Sequence, residues 1–227
     1  MSFYKEATGY LIHQRKFKNS SMIIEFFSKE YGMIHLIAKG IKNNKILNSQ
    51  LKFFHLLKIQ FYGKSHLKTV VSINSISPLN FKGLIEKTAG FYLNELIHYS
   101  LLENEQASLL FVGYSEAIHQ LGLIKLTPIL RGFERLILKH NGFELNIDSY
   151  DELDEWLCVD DNFGLIKTEK NQQKLCTVRD LQGFLNGSVL NSKQQKRVNK
   201  IMIQLINISV SHRRLFSREL LIELTKI

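Results

Sequence analysis

The hydrophobic period of this chain changes once, near Pro78, and that change limits the possible folds more than any other feature. Before it, apolar residues tend to alternate. Within 33–39, Ile34, Leu36 and Ala38 fall on one face and His35, Ile37 and Lys39 on the other, the period of two expected of a half-buried strand. Five segments rich in Ile, Val, Phe and Tyr predict strands over 10–13, 22–28, 33–39, 53–62 and 67–73. The connections RKFKNS, KEYG and YGKSH carry turn-forming residues. Five short antiparallel strands suit a small closed barrel, because closure removes exposed edges. The five-stranded OB-fold is the economical solution, and a meander or an SH3-like barrel satisfies the same pattern.

After Pro78 the period becomes helical. Residues 83–102 place Ile85, Ala89, Tyr92, Leu96 and Tyr99 on one face, and 108–121 predicts a second helix. A third is framed by Thr127 as N-cap, Pro128 at the first helical position and Gly142 just past the end, with Leu126, Ile129, Leu130, Phe133, Leu136 and Ile137 apolar. A polar insert at about 146–176 reads as loop with one short hairpin. Helices are then expected over 178–185, 193–209 and 217–225. The fold class is α+β, with an OB-fold nucleic-acid-binding domain over 1–80 and an α-helical domain over 81–227.

Charge follows the same boundary. Residues 1–80 hold twelve Lys and Arg against three Glu, so they carry the whole formal net charge of +9, while the remainder balances 18 basic against 18 acidic residues. Such asymmetry points to a polyanion-binding module beside a neutral one, with nucleic acid ahead of an anionic membrane surface. The chain is 44% hydrophobic and 22% charged, an ordinary globular composition. It shows no apolar run of the roughly 18 to 20 residues that span a bilayer, and MSFYKEATGYL lacks the regions of a signal peptide. A cytoplasmic protein is expected. Cys158 and Cys176, without a C-x-x-C, read as free thiols.

Motifs for catalysis are missing. Gly63-Lys64-Ser65 lacks the earlier glycine of a phosphate loop, since position 58 is Lys58, and it joins two strands instead of opening a helix. The acidic run Asp148, Asp151, Glu152, Asp154, Glu155, Asp160 and Asp161 lacks the calcium-loop pattern and reads as a solvated loop. The eight histidines show no H-E-x-x-H, and no G-x-S-x-G elbow is present. No enzyme activity, cofactor or metal is expected.

Binding chemistry is better represented. Arg15, Lys16 and Lys18 fall at the first inter-strand connection, Lys64 in the last, and Lys39, Lys42 and Lys45 follow the third strand. In an OB-fold the first and last hairpin loops flank the oligonucleotide face. Phe17, Tyr31, Phe53, Phe54 and Tyr62 are interleaved with these cations. Exposed ones could stack bases at about 1–3 kcal/mol each, and the competing reading is barrel core. Lys193, Lys196, Arg197 and Lys200 form a second cationic stripe at i, i+3, i+4 and i+7 near a helix N-terminus, where the dipole disfavours them. A stripe in that position is a candidate phosphate contact or a solvated face.

Taken in order, T-G-Y-L-I-H, S-S-M-I-I-E-F-F-S-K-E-Y-G, A-K-G with its basic and amide residues, L-K-F-F-H-L-L, Tyr92-Leu93-Asn94-Glu95-Leu96, Leu130-Arg131-Gly132-Phe133-Glu134 and Ser217-Arg218-Glu219-Leu220 resemble the bacterial RecO family of recombination mediators. The resemblance covers nearly the whole chain and implies an N-terminal OB domain followed by helices. It implies a non-enzymatic role in DNA repair: binding single- and double-stranded DNA, annealing complementary strands, and joining RecR. It further implies engaging the acidic C-terminal tail of single-stranded DNA-binding protein so that RecA is loaded, in a cytoplasmic, nucleoid-associated setting. The chain departs from one branch of the family by lacking a four-cysteine zinc module, so no zinc is expected and the polar insert stands in its place. For the tail contact Arg131 is the candidate: on the amphipathic third helix it stands beside apolar Leu130 and Phe133, where a guanidinium could clamp a terminal carboxylate while the tail's apolar residue enters a groove, with Arg135 and Lys139 as auxiliary charges. A salt bridge of Arg131 with Glu134 is the competing reading. The alternatives are a basic barrel that adapts to RNA or to an anionic membrane surface, and a metal-dependent nuclease using the acidic run around Asp160.

Overall fold

In a computed structural model describing residues 4–162, 164–169 and 172–225, the alternating segments form β1 (Lys5–Phe17), β2 (Ser21–Ser28), β3 (Gly32–Ala38), β4 (Leu56–Tyr62) and β5 (Leu67–Ser77). They close a barrel in the order β1-β2-β3-β5-β4, with β3 and β5 parallel and the other pairs antiparallel. This is the OB-fold. Strand β1 is longer than its sequence pattern suggests because it serves two neighbours. Its first part pairs with β4 and the rest with β2, and Gly9 pairs with both. A Cβ on Gly9 would lie 2.0 Å from the Phe27 carbonyl oxygen, so the close strand approach requires glycine.

The barrel interior is filled by Leu11, Ile24, Phe26, Ile34, Leu36, Leu57, Ile59 and Phe61, each at most 1% exposed. Between β3 and β4 lie a 3-10 turn (Ile41–Asn43) and the six-residue helix α1 (Lys45–Gln50), neither expected from sequence. Helix α1 buries none of its residues, so it carries no apolar period to read. Ile41, in contrast, is fully buried in the barrel core.

Contacts group the described chain up to Phe133, with the part from Leu215 onward, into one unit, and Glu134–Arg214 into another. The first unit therefore contains the barrel together with α2 (Leu84–Ser100), α3 (Ser108–Gln120) and α7 (Phe216–Thr225). A β-bulge interrupts β1 between Leu11 and His13. Asn94 on α2 answers it: its Nδ2 donates to the carbonyls of Ile12 at 3.0 Å and Leu11 at 3.4 Å, while its Oδ1 accepts from Tyr114 at 2.6 Å. A buried amide that satisfies a bulge in this way fixes helix to barrel, because orphaned buried carbonyls are costly. Tyr10, Phe27, Phe111 and Tyr114 pack ring against ring beside it.

Helix α4 spans Leu126–His140. It starts before the expected cap, so Thr127 lies inside the first turn. Pro128 is tolerated there because first-turn N–H groups have no intrahelical partner. In the second unit, β6 (Trp156–Asp160) and β7 (Gly164–Lys167) form the expected hairpin, and β8 (Cys176–Thr177) adds a third strand beside β6. Helices α5 (Val178–Leu185) and α6 (Ser192–Ser209) both begin with capping boxes, Thr177 with Asp180 and Asn191 with Gln194. Val198, Ile201, Met202, Leu205 and Ile206 form the buried stripe of α6. Cys158 and Cys176 are free and buried. Cys176 pairs in register with Leu157, so the pleat sends Cys158 to the other face of the sheet. Among the described residues, no helix is long and apolar enough to cross a membrane.

Candidate nucleic-acid interface

The structure joins two of the predicted cationic loops. Lys18 sits in the β1–β2 turn with φ 51°, and Gly40 leaves β3 with φ 64°, a left-handed conformation that favours glycine. Beyond Gly40 the backbone N–H of Lys42 donates to the Ser20 carbonyl at 3.1 Å, and its Nζ donates to the Asn19 carbonyl at 3.1 Å. These bonds lay the 3-10 turn against the β1–β2 turn. Through the ladders Lys16 pairs with Met22 and Met22 with Ala38, which brings Arg15, Lys16, Lys18, Lys39 and Lys42 to one end of the barrel. Lys45 follows at the start of α1. All six side chains are exposed.

Lys64 is exposed too, but on another connection. The β4–β5 turn enters β5 at Leu67, which pairs with His35 in the middle of β3. The first patch lies instead against the end of β3. The aromatics sort differently from the cations. Phe54 is 4% exposed, Phe17, Tyr31 and Phe53 are half-buried, and Tyr62 is exposed. Tyr62 meets the exposed Tyr4 edge to face, with centroids 6.1 Å apart.

Two features escaped the sequence reading. Tyr4 precedes the first predicted strand and has no periodic partner. The second is a cleft of about 320 Å³ lined by Phe53, Phe54, Phe81 and Phe91, with the exposed Lys52 and Lys87 among its walls. Phe54 holds φ 69°, and its ring packs so closely on Gly90 that a Cβ there would come within 2.7 Å. Aromatic faces beside lysines suit a base and its phosphate. Phe81, Lys87 and Phe91 belong to the charge-balanced part of the chain, so only the FF pair signalled the cleft.

On α6, Lys193, Lys196 and Lys200 are exposed. Arg197 differs. Its Nε and Nη2 clamp the buried Asp180 carboxylate at 2.5 and 2.9 Å, and its guanidinium lies 5.6 Å from the centroid of the Trp156 ring. Burial alone would push the Asp180 carboxyl up, yet hydrogen bonds from Arg197, Thr177 and Gln194 bring it below its ordinary value. Arg197 is thereby corrected from a free phosphate contact to the counter-ion of a buried acid.

On α4, Leu130 and Arg131 are half-buried, and Arg135 and Lys139 exposed. Arg135 lies 5.7 Å over the Phe184 ring, and Lys139 pairs with Glu144 at 3.0 Å. Phe133 is 1% exposed and meets Tyr114 edge to face. As a groove-lining residue Phe133 is therefore corrected to core.

Three acidic residues of the run lie beside basic side chains: Glu155 pairs with Lys167, Asp154 pairs with Arg179 at 3.1 Å, and Asp161 lies 3.6 Å from the His212 ring nitrogen. Among the described residues, the clusters of three or more His, Cys, Asp and Glu side chains within metal-binding reach lie elsewhere, at the barrel.

Residues 1–79 match the family model described as Recombination protein O N terminal. The chain is similar to the DNA repair protein RecO of Ralstonia nicotianae, 31% identical over 145 residues that cover 62% of this chain and 52% of the relative. It is similar to that of Nitrosospira multiformis, 34% identical over 62% of this chain and 59% of the relative. With that of Marinobacter nauticus it shares 24% identity over 229 residues, 95% of this chain and 93% of the relative. Against the first of these the matched chain spans about half the relative's length.

Proposed function

We propose that this chain is a member of the RecO family, as its similarity to that family supports, and that its function is to bind DNA in repair and recombination. In this reading it anneals complementary strands and helps load RecA onto DNA coated by single-stranded DNA-binding protein. The observation that carries the proposal is the Lys42 bridge, which lays the turn after β3 against the β1–β2 turn and gathers the exposed Arg15, Lys16, Lys18, Lys39 and Lys42 at one end of an OB barrel. Those cations belong to the part of the chain that holds its entire net charge. Phosphates neutralised there release counterions, so affinity is salt-dependent and largely independent of sequence. Tyr4, Tyr62 and the Phe53–Phe91 cleft supply stacking faces, and Lys193, Lys196 and Lys200 a second phosphate track.

The reading includes a contact between the acidic tail of single-stranded DNA-binding protein and α4. Arg131 would clamp the terminal carboxylate beside Leu130, with Arg135 and Lys139 as auxiliary cations. Assembly with RecR belongs to the same reading. The role in this reading is one of binding.

The test is strand annealing on DNA coated by single-stranded DNA-binding protein with and without its acidic tail. Faster annealing with the tail present is expected, and equal rates remove the partner contact. In parallel, oligonucleotides are compared with anionic vesicles at physiological salt. A preference for vesicles overturns the DNA assignment.

A further inference from the structure

The β1 bulge has a second effect. It brings His13 directly opposite Glu25 of β2 in the strand register, so the two side chains share one outer face of the barrel. Helix α2 crosses this face. Asn94 locks the bulge, and one helical turn later His98 reaches the same carboxylate, 2.5 Å from His98 Nδ1 to Glu25 Oε2. His13 Nδ1 lies 3.5 Å from Glu25 Oε1, and the two imidazoles lie 4.8 Å apart between centroids, tilted by 32°.

We infer that His13, Glu25 and His98 form a binding site for a divalent transition metal of the zinc type. Two imidazole nitrogens and one carboxylate oxygen are the donor set that zinc accepts in three-ligand sites, with a fourth position left for water. Their ligand atoms all lie within 4.8 Å of one another. Tetrahedral bonds of about 2.0–2.2 Å put neighbouring donors roughly 3.3–3.6 Å apart, close to the present His13–Glu25 spacing. On the same geometry His98, now 2.5 Å from Glu25, has to draw back by roughly 1 Å to admit the ion. A metal binds the imidazole nitrogens in their deprotonated form, and His13, with a side chain 46% exposed, gives access from solvent.

The three ligands come from three elements, each held independently of the metal, which is what a preorganised site needs. Their side chains are partly withdrawn from water, with Glu25 only 17% exposed, so the carboxylate charge gains from a cation there. The nearby cluster of His35, His66 and Glu103 is a poorer site. Lys68 already lies 3.4 Å from the Glu103 carboxylate and neutralises it. A metal on His13, Glu25 and His98 would staple β1 and β2 to α2 and so tie the barrel to its first helix.

The experiment titrates the full chain with Co²⁺, whose visible absorption reports four-coordinate geometry, and follows displacement by Zn²⁺. One equivalent giving an intense tetrahedral band, displaced by Zn²⁺ and accompanied by a higher unfolding temperature, is expected. His98→Gln and His13→Asn should each abolish the band, and His66→Asn should leave it intact. The exposed His13→Asn keeps the test valid if His98→Gln does not fold. No saturable binding, a band that survives both His13→Asn and His98→Gln, or one lost in His66→Asn overturns the site.

Discussion

The carboxylate of Glu95 accepts the backbone N–H of Ser217 at 3.0 Å across 122 positions of sequence. Ser217 stands in the first turn of α7, so a side chain from the middle of α2 satisfies a donor that the helix itself leaves free. Two short sequence signatures, Tyr92–Leu96 and Ser217–Leu220, thus meet as a helix and the cap of its neighbour. Glu95→Ala should lower stability by about 1 kcal/mol, the usual value of a lost cap. Glu95→Gln should retain most of it. Burial raises the Glu95 carboxyl above its ordinary value, against the lowering effect of hydrogen bonds from Ser217 and Phe216. A raised folded pKa means that protonation favours the fold, so this group's contribution grows as pH falls and is lost as pH rises through the folded value. Urea unfolding at neutral and mildly acidic pH checks both statements.

Glu25 has the opposite sign. Burial would raise its carboxyl, but hydrogen bonds from His13 and His98, with their charges, hold it at about 2. Its contribution is complete above the unfolded carboxylate value and disappears as pH falls toward 2. Thermal melts of metal-free protein should show an acid limb that Glu25→Gln flattens. An unchanged limb would place the acid sensitivity on other carboxylates.

Arg197 and its lysine neighbours should behave differently. Arg197→Ala leaves the buried Asp180 without a counter-ion and should cost about 3 kcal/mol. It should also change the emission of Trp156, the chain's single tryptophan. Replacing Lys193, Lys196 and Lys200 together should leave stability unchanged or slightly higher, since like-charge pairs one turn apart cost about 0.2–0.5 kcal/mol each. Under the proposed function, the triple variant should bind DNA less tightly. Denaturation followed at Trp156 and DNA titration separate the two roles.

At the joined loops, Lys18→Ala and Lys42→Ala should each weaken DNA binding across sequences and reduce the salt slope by about 0.7–0.9 per lost phosphate contact. Lys58→Ala serves as the control, because Lys58 is paired with Glu6 at 2.8 Å on a different strand pair. Titrations over a range of salt concentrations read the slopes directly.

The two thiols should resist modification in the folded chain. Burial pushes Cys176 up to about 12, and Cys158 is likewise raised by burial. Since the thiolate is the reactive form, alkylation should begin only when the second unit opens. Rapid labelling of the native protein would contradict this.

Much of this was legible in the chain itself. The strands were readable from alternation, and α5 over 178–185 and α3 from Ser108 were readable from apolar spacing. The cationic loops were readable from charge alone. Each of these signals is local. Lys45–Gln50 was not readable because a helix with no buried face carries no period, and the start of α4 slipped because Pro128 fits anywhere in a first turn.

The amino-acid sequence by itself determined the strand-to-helix division and the concentration of positive charge in the barrel, since backbone period and formal charge are properties of neighbouring residues. Only the tertiary structure decided which charges act together. Lys42 reaches the loop of Lys18, Arg197 turns inward to Asp180, and His13, Glu25 and His98 converge from three elements. These pairings depend on a bulge, a left-handed glycine and the packing of α2 on the barrel. They arise from contacts between distant segments that no local pattern encodes.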